Sequence, residues 1–151
     1  MTIKSPDISQ DQIKPILELF SSGQTQEALD AVGVLIKDYP NDSLLFNISG
    51  ACYAALGQFD AAVKDYEKAI SIKPDYSKAH FNLGCTLQEL GQFYASVKSF
   101  EKALVIEPDY AEAHNNLGIS LKDLRQLDAA VKSFKKATTI KPDYVEAHYS
   151  L

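Results

Sequence analysis

Apolar residues along this chain recur at helical rather than strand spacing. In "SKAHFNLGCTLQEL", residues 77–90, Ala79, Leu83, Leu87 and Leu90 line one side of a 3.6-residue helix, with polar side chains between them. Gly91 then interrupts the pattern. "FYASVKSFEKALVI", residues 93–106, resumes it with Val97, Phe100, Ala103 and Leu104 on a second helical face. Pro108 closes the unit, because proline disfavours helix at the residue before it. The predicted unit is therefore helix, turn, helix, stop. Asp75, Asp109 and Asp143 follow the prolines where an N-cap is wanted. Asp109 with Glu112, and Asp143 with Glu146, have the form of an acidic capping box.

The unit repeats. Pro40, Pro74, Pro108 and Pro142 are each 34 residues apart. Gly50, Gly84 and Gly118 keep that period, as do Ala28, Ala62, Ser96 and Ala130, and then Tyr66, Phe100 and Phe134. Ala69, Ala103 and Ala137 form a further column, and Gly23, Gly57 and Gly91 another, which Arg125 breaks. Glycine inside a helix costs about 1 kcal/mol relative to alanine. A chain that accepts it at Gly50, Gly84 and Gly118 is expected to bring two helices close together there, with Ala62, Ser96 and Ala130 as the facing small side chains and the aromatic column filling the space beside them.

A 34-residue helix–turn–helix with Leu-Gly, a small residue, an aromatic, an alanine and a closing proline resembles the tetratricopeptide repeat. Residues 43–76, 77–110 and 111–144 match as full repeats. Residues 9–42 look like a divergent first repeat, with Pro15 and Ile16 where Leu-Gly would stand, after a tail at 1–8. Residues 145–151 read as the truncated start of a further repeat. The resemblance implies an all-α, right-handed superhelical solenoid of antiparallel helix pairs, in which neighbouring hairpins bury each other's apolar faces. It also implies a concave groove walled by the first helix of each pair. By that geometry the groove-facing residues are Leu44, Asn47, Ile48 and Ala51, then Lys78, Phe81, Asn82 and Cys85, then Glu112, Asn115, Asn116 and Ile119, with Glu146 and Tyr149 at the broken end. Asn47, Lys78, Phe81, Asn82, Glu112, Asn115, Asn116 and Tyr149 are the candidate ligand-binding residues. Asn82 and Asn116 are equivalent rungs, and an asparagine offers donors and an acceptor, so the pair can grip a peptide backbone as the asparagine ladder of O-linked N-acetylglucosamine transferase does. Ile48 and Glu112 stand where the family's chaperone-tail clamp places polar or basic groups, which argues against that ligand.

Composition narrows the chemistry. The chain has 151 residues, 46% apolar and 23% charged, the balance of a soluble globular protein fitting one ordinary domain. The net charge of −5 carries no basic stripe, which disfavours nucleic acid. No apolar run nears the ~20 residues of a membrane span, and the start has no apolar signal core, so a cytoplasmic protein without membrane contact is expected. Cys52 and Cys85 have no metal-ligand spacing and read as free core thiols. His80, His114 and His148 recur once per repeat. Packed helices lie about 8–10 Å apart, so these histidines do not converge on one metal. Glu67 and Glu101, and the ladders Lys64, Lys98, Lys132 and Lys68, Lys102, Lys136, read as solvated faces. With no nucleophile motif or phosphate loop, neither catalysis nor a cofactor is expected.

The expected function is a non-catalytic scaffold that binds a protein segment or helix in its groove. Two other readings follow from the chain's ending inside a repeat at Leu151. One is the substrate-recruiting N-terminal region of a larger enzyme such as a glycosyl- or sulfotransferase. The other is self-assembly, with Leu127, Val131 and Phe134 left uncovered at the C-terminal end. Residues 1–42 carry a net −4 and residues 111–144 a net +2, which allows a head-to-tail contact. A symmetric homodimer through the C-terminal ends is favoured, because apolar burial is less sensitive to salt and the contact closes.

Overall fold

The computed structural model describes residues 8–144. Within them lie eight helices and no strand: α1 (Gln10–Ser21), α2 (Thr25–Asp38), α3 (Ser43–Ala55), α4 (Phe59–Ile72), α5 (Ser77–Glu89), α6 (Phe93–Ile106), α7 (Ala111–Asp123) and α8 (Leu127–Ile140). Consecutive helices pack as hairpins, α1 on α2, α3 on α4, α5 on α6 and α7 on α8, and α2 packs on α3 and α6 on α7. The chain divides into two compact units, Met1–Pro74 and Asp75–Leu151. In the first, Ile13, Ile16, Ala28, Val32, Leu45, Ile48 and Cys52 form a core. In the second, Phe100, Leu117, Leu121, Ala130 and Phe134 do so.

The helical glycines sit under aromatic rings. A Cβ built on Gly50, Gly84 or Gly118 would lie 2.7, 2.6 or 2.5 Å from the nearest ring carbon of Tyr66, Phe100 or Phe134. The ring itself, rather than the small residue at Ala62, Ser96 or Ala130, is thus what the missing side chain admits. The first repeat makes the reciprocal choice, with Ile16 in the glycine column and Val32 in the aromatic column, both buried in one cluster. Phe134 has 1% of its surface exposed because Gly118 receives its ring, so it is not part of an uncovered end. Leu127 and Val131 are exposed, at 56% and 40%. The remaining residues expected at that end, 145–151, lie outside the described residues.

Each hairpin turn closes the same way. The amide of Gln126 donates to Leu121 O at 2.8 Å and that of Arg125 to Lys122 O at 3.0 Å, the pair of bonds that satisfies the last carbonyls of a helix when the next residue turns left-handed. Gly23, Gly57 and Gly91 take that conformation at φ 82, 75 and 73°. Arg125 takes it too, at φ 64°, against the Cβ clash that makes this region costly for other residues. The start signals differ from expectation. α5 and α7 have Tyr76 and Tyr110 as N-caps without a side-chain cap bond, so Asp75 and Asp109 fall one residue too early to cap. Asp143 likewise precedes Tyr144, and Glu146 lies outside the described residues. Asp42 does cap α3, accepting from Leu45 N at 3.2 Å, because it stands one position later in the repeat than those aspartates.

Two stability changes are expected. Gly84→Ala should destabilise the protein by up to about 2 kcal/mol, the overpacking cost of about 1–3 kcal/mol less the helix-propensity gain of about 1 kcal/mol. Adding Phe100→Leu should recover part of the loss, and a thermal melt of the three proteins reads both effects. Arg125→Gly should raise the midpoint, by relief of about 1 kcal/mol of left-handed strain, with circular dichroism unchanged at 25 °C.

Candidate functional site

The period places Lys78, Phe81, Asn82 and Cys85 along one side of α5, and Glu112, Asn116 and Ile119 along the matching side of α7. Spacings of three and four residues put such side chains on one helix face. The two helices are joined through these residues. The Phe81 ring stacks on Tyr110, with centroids 4.8 Å apart and planes at 29°, and its other neighbour is the core ring of Phe100 at 5.9 Å. Lys78 Nζ lies 5.2 Å from the centroid of Phe81 and 6.0 Å from that of Tyr110, within the range of cation–π attraction. The lysine stays exposed while both rings are half-buried.

Polar side chains also tie α5, α6 and α7 together. Asn116 Nδ2 approaches Cys85 Sγ at 3.5 Å. Gln88 Nε2 donates to Asn116 O and to Ser120 Oγ, both at 2.7 Å. Ser120 Oγ lies 2.7 Å from Ser96 Oγ, and Ser96 Oγ donates to Phe93 O at 2.8 Å. A hydroxyl has one proton. That of Ser96 goes to Phe93, so Ser120 is the donor to Ser96, and the chain of bonds runs in one direction from Gln88 to the backbone of α6.

Lys141 Nζ pairs with Glu112 Oε1 at 3.3 Å and lies 5.5 Å from the Tyr144 ring centroid. The Glu112 carboxyl is held below the usual range, first by its own backbone N–H and then by Lys141 and Lys78, against some opposing burial. Burial pushes the Tyr110 phenol up, with the charges of Glu112, Cys85 and Glu107 adding to it. Burial pushes the Cys85 thiol up to about 11, against the opposing pull of Lys78 and the hydrogen bond from Asn116.

Lys78, Phe81, Asn82, Glu112 and Asn116 therefore share one face of the second unit. Asn115 does not reach it. That side chain has no exposed surface, and neither amide atom has a hydrogen-bond partner among the described residues. Asn47, in the first unit, is 8% exposed, and Ile48 belongs to that unit's core. Tyr149 lies outside the described residues. Tyr110, Gln88, Ser120 and Lys141 were not singled out from the sequence. The signal for Tyr110 was the recurrence of Tyr76, Tyr110 and Tyr144 just before each first helix. Gln88 and Ser120 carry no periodic signal.

His80 is buried, and His114 Nε2 lies 2.9 Å from Pro108 O; His148 lies outside the described residues. Among the described residues no three His, Cys, Asp or Glu side chains cluster to hold a metal, and no helix is long and apolar enough to cross a membrane. The six ladder lysines are all exposed. One pH effect follows from the site. In a Cys52→Ser variant, the rate of Cys85 with an aromatic disulfide reagent should keep rising towards pH 11, where an ordinary thiol titrates near about 8.5. A plateau by about pH 9 contradicts this placement of the thiol.

Two family models match, one described as "TPR repeat" over residues 50–91 and 86–124, the other as "Tetratricopeptide repeat" over residues 111–144. The Hsp70-Hsp90 organising protein of Plasmodium falciparum is 39% identical over 67 residues, which is 44% of this chain and 26% of that protein. The chain thus spans about a quarter of that relative's length. Among solved structures, MamA 41-end from Desulfovibrio magneticus RS-1 superposes with a TM-score of 0.84 at 21% identity, covering 96% of this chain and 82% of that one. The first TPR of Spaghetti (RPAP3), solved bound to the HSP90 peptide SRMEEVD, gives a TM-score of 0.72 at 22% identity over 73% of this chain and 87% of its own. A period of 34 residues, paired helices locked by glycine and ring, and these matches have one common source: the chain belongs to the tetratricopeptide repeat family.

Proposed function

We propose that this chain is a non-catalytic protein-interaction scaffold, and that the α5/α7 face of its second unit receives a peptide segment. The observation that carries this is the half-buried Phe81–Tyr110 stack with the exposed Lys78 ammonium above it. Aromatic rings kept partly exposed beside a cation offer a ligand both apolar contact and charge. The amides of Asn82 and Asn116 lie on the same face at equivalent repeat positions, where they suit an extended backbone that needs donor and acceptor together. A similar fold carrying a peptide, the Spaghetti domain with SRMEEVD, supports the reading at the level of the fold.

The electrostatics favour an internal segment over a terminal carboxylate. Lys78 and Lys141 flank Glu112, which stays charged because its own N–H and both lysines stabilise the anion. A free chain end would meet that anion between the two cations. A backbone running past, with one acidic side chain reaching Lys78, would not.

Selection of displayed random peptides against the chain, followed by fluorescence anisotropy on the selected sequences, tests the proposal. Asn82→Ala/Asn116→Ala should weaken binding by about 1–3 kcal/mol for two lost hydrogen bonds, and Lys78→Glu should weaken it further, with the melting temperature held. Affinity unchanged in both variants would move the binding surface away from this face.

A further inference from the structure

A second candidate site lies in the first unit and shares no residue with the α5/α7 face. Between α2, α3 and α4 is a cleft of about 670 Å³ lined by Gly33, Phe46, Ser49, Tyr53, Gln58 and Asp65, among others. The second unit has the matching cleft of about 550 Å³ between α6, α7 and α8, lined at the same repeat positions by Glu101, His114, Leu117, Leu121, Gln126 and Ser133. The two therefore show which features belong to the repeat and which to this place alone.

Three differences act together. Asp65 stands where the later repeats have Ser99 and Ser133, and Ser49 stands where they have Leu83 and Leu117. Ser49 favours the charged form of Asp65, so each polar replacement accounts for the other. Asp65 Oδ2 is nonetheless buried with no hydrogen-bond partner. A buried acceptor left unsatisfied is costly, and burial pushes the carboxyl up from its ordinary range. The third difference is Gly33, where the later repeats have Glu67, Glu101 and Lys135. Unlike the glycines under rings, Gly33 has nothing within 4 Å of where its Cβ would be. No packing contact requires glycine there. Its effect is to leave the wall of the cleft bare in the middle of α2, where a glutamate would project in its place.

A carboxylate oxygen without a donor, in a residue that lines an open cleft, selects a cationic donor. Gln26 Nε2 donates to Asp30 Oδ1 at 3.0 Å and holds a second carboxylate at the rim. Phe46 and Tyr53 supply aromatic surface, and Gln58 supplies an amide. Lys68 Nζ already lies 6.0 Å from the Phe46 ring centroid, and Lys37 is the basic residue of the lining, so two carboxylates face one ammonium within it. Planar, weakly hydrated guanidinium, with five donors and a stacking face, matches this set better than a compact, strongly hydrated ammonium. We propose that this cleft is a site for an arginine side chain of a partner protein, with Asp65 as its principal acceptor and Gly33 as the opening that admits it.

The test is a heteronuclear NMR titration of the full 151-residue chain with N-acetylarginine amide, and in parallel with the lysine and glutamate analogues. The arginine compound should give saturable shifts centred on Gly33, Ser49, Tyr53 and Asp65. Ser49→Leu/Asp65→Ser, which installs the pair used by the later repeats, should weaken binding at least about tenfold, the loss expected for one charge-assisted hydrogen bond of about 1.5–3 kcal/mol. Gly33→Glu should do the same and raise the melting temperature. These variants leave the α5/α7 face intact, so a peptide bound there keeps its affinity whatever happens in the cleft. No saturable shift in the cleft, equal shifts from lysine or glutamate, or binding retained in the double variant would each overturn the proposal.

Discussion

The close approach of a ring to a helix backbone is the contact on which three of the four hairpins depend. Tyr66, Phe100 and Phe134 lie against Gly50, Gly84 and Gly118 with no room for a methyl group between them. Helix propensity alone disfavours glycine at all three places by about 1 kcal/mol each, so the tertiary contact outweighs the local preference. It also sets how closely the two helices lie, because ring thickness replaces side-chain length. Where the glycine is absent, at Ile16, the ring is absent too and Val32 takes its place. The first hairpin fills this position with two aliphatic side chains where the others use a bare backbone and a ring, and either way the interior stays closely packed.

The turns show a second constraint of the same kind. Four hairpins end in left-handed residues at φ between 64 and 82°, and the hydrogen bonds that close them are alike whether the residue is Gly23, Gly57, Gly91 or Arg125. The last carbonyls of each helix must find donors, and that requirement forces Arg125 into a conformation its Cβ opposes. Polar atoms deeper inside obey the same demand. Ser96 replaces the alanine of its column, and its hydroxyl joins the Gln88–Ser120 chain of bonds.

Chemical individuality enters where a column breaks. The α5/α7 face carries Phe81 and Lys78 over Tyr110; the cleft of the first unit carries Asp65, Ser49 and Gly33 in place of a serine, a leucine and a charged residue. The cleft set is not needed for the hairpins to pack, since the other repeats pack without it, and Lys78 adds a charge beside rings that are themselves part of the packing. Residues free of the packing constraint are the ones available for recognition, and a repeat array makes them visible by comparison within a single chain.

The sequence by itself determined the helix pairs, their 34-residue register and the family, because a period of apolar and small residues records the packing of one repeat many times over. Helical spacing also put Lys78, Phe81 and Asn82 on one side of α5, and Glu112 and Asn116 on one side of α7. The sequence could not tell that Asn115 is sealed from solvent, or that Asp75 and Asp109 miss the N-cap by one residue. Burial depends on which neighbour arrives across the chain, and capping on φ and ψ at a single residue. Nor could it show that Tyr110 would stack on Phe81, that Gln88 would reach Ser120, or that Ser49 would meet Asp65. Those partners are 16 to 32 residues apart, and only the tertiary fold decides which side chains of neighbouring helices share a boundary.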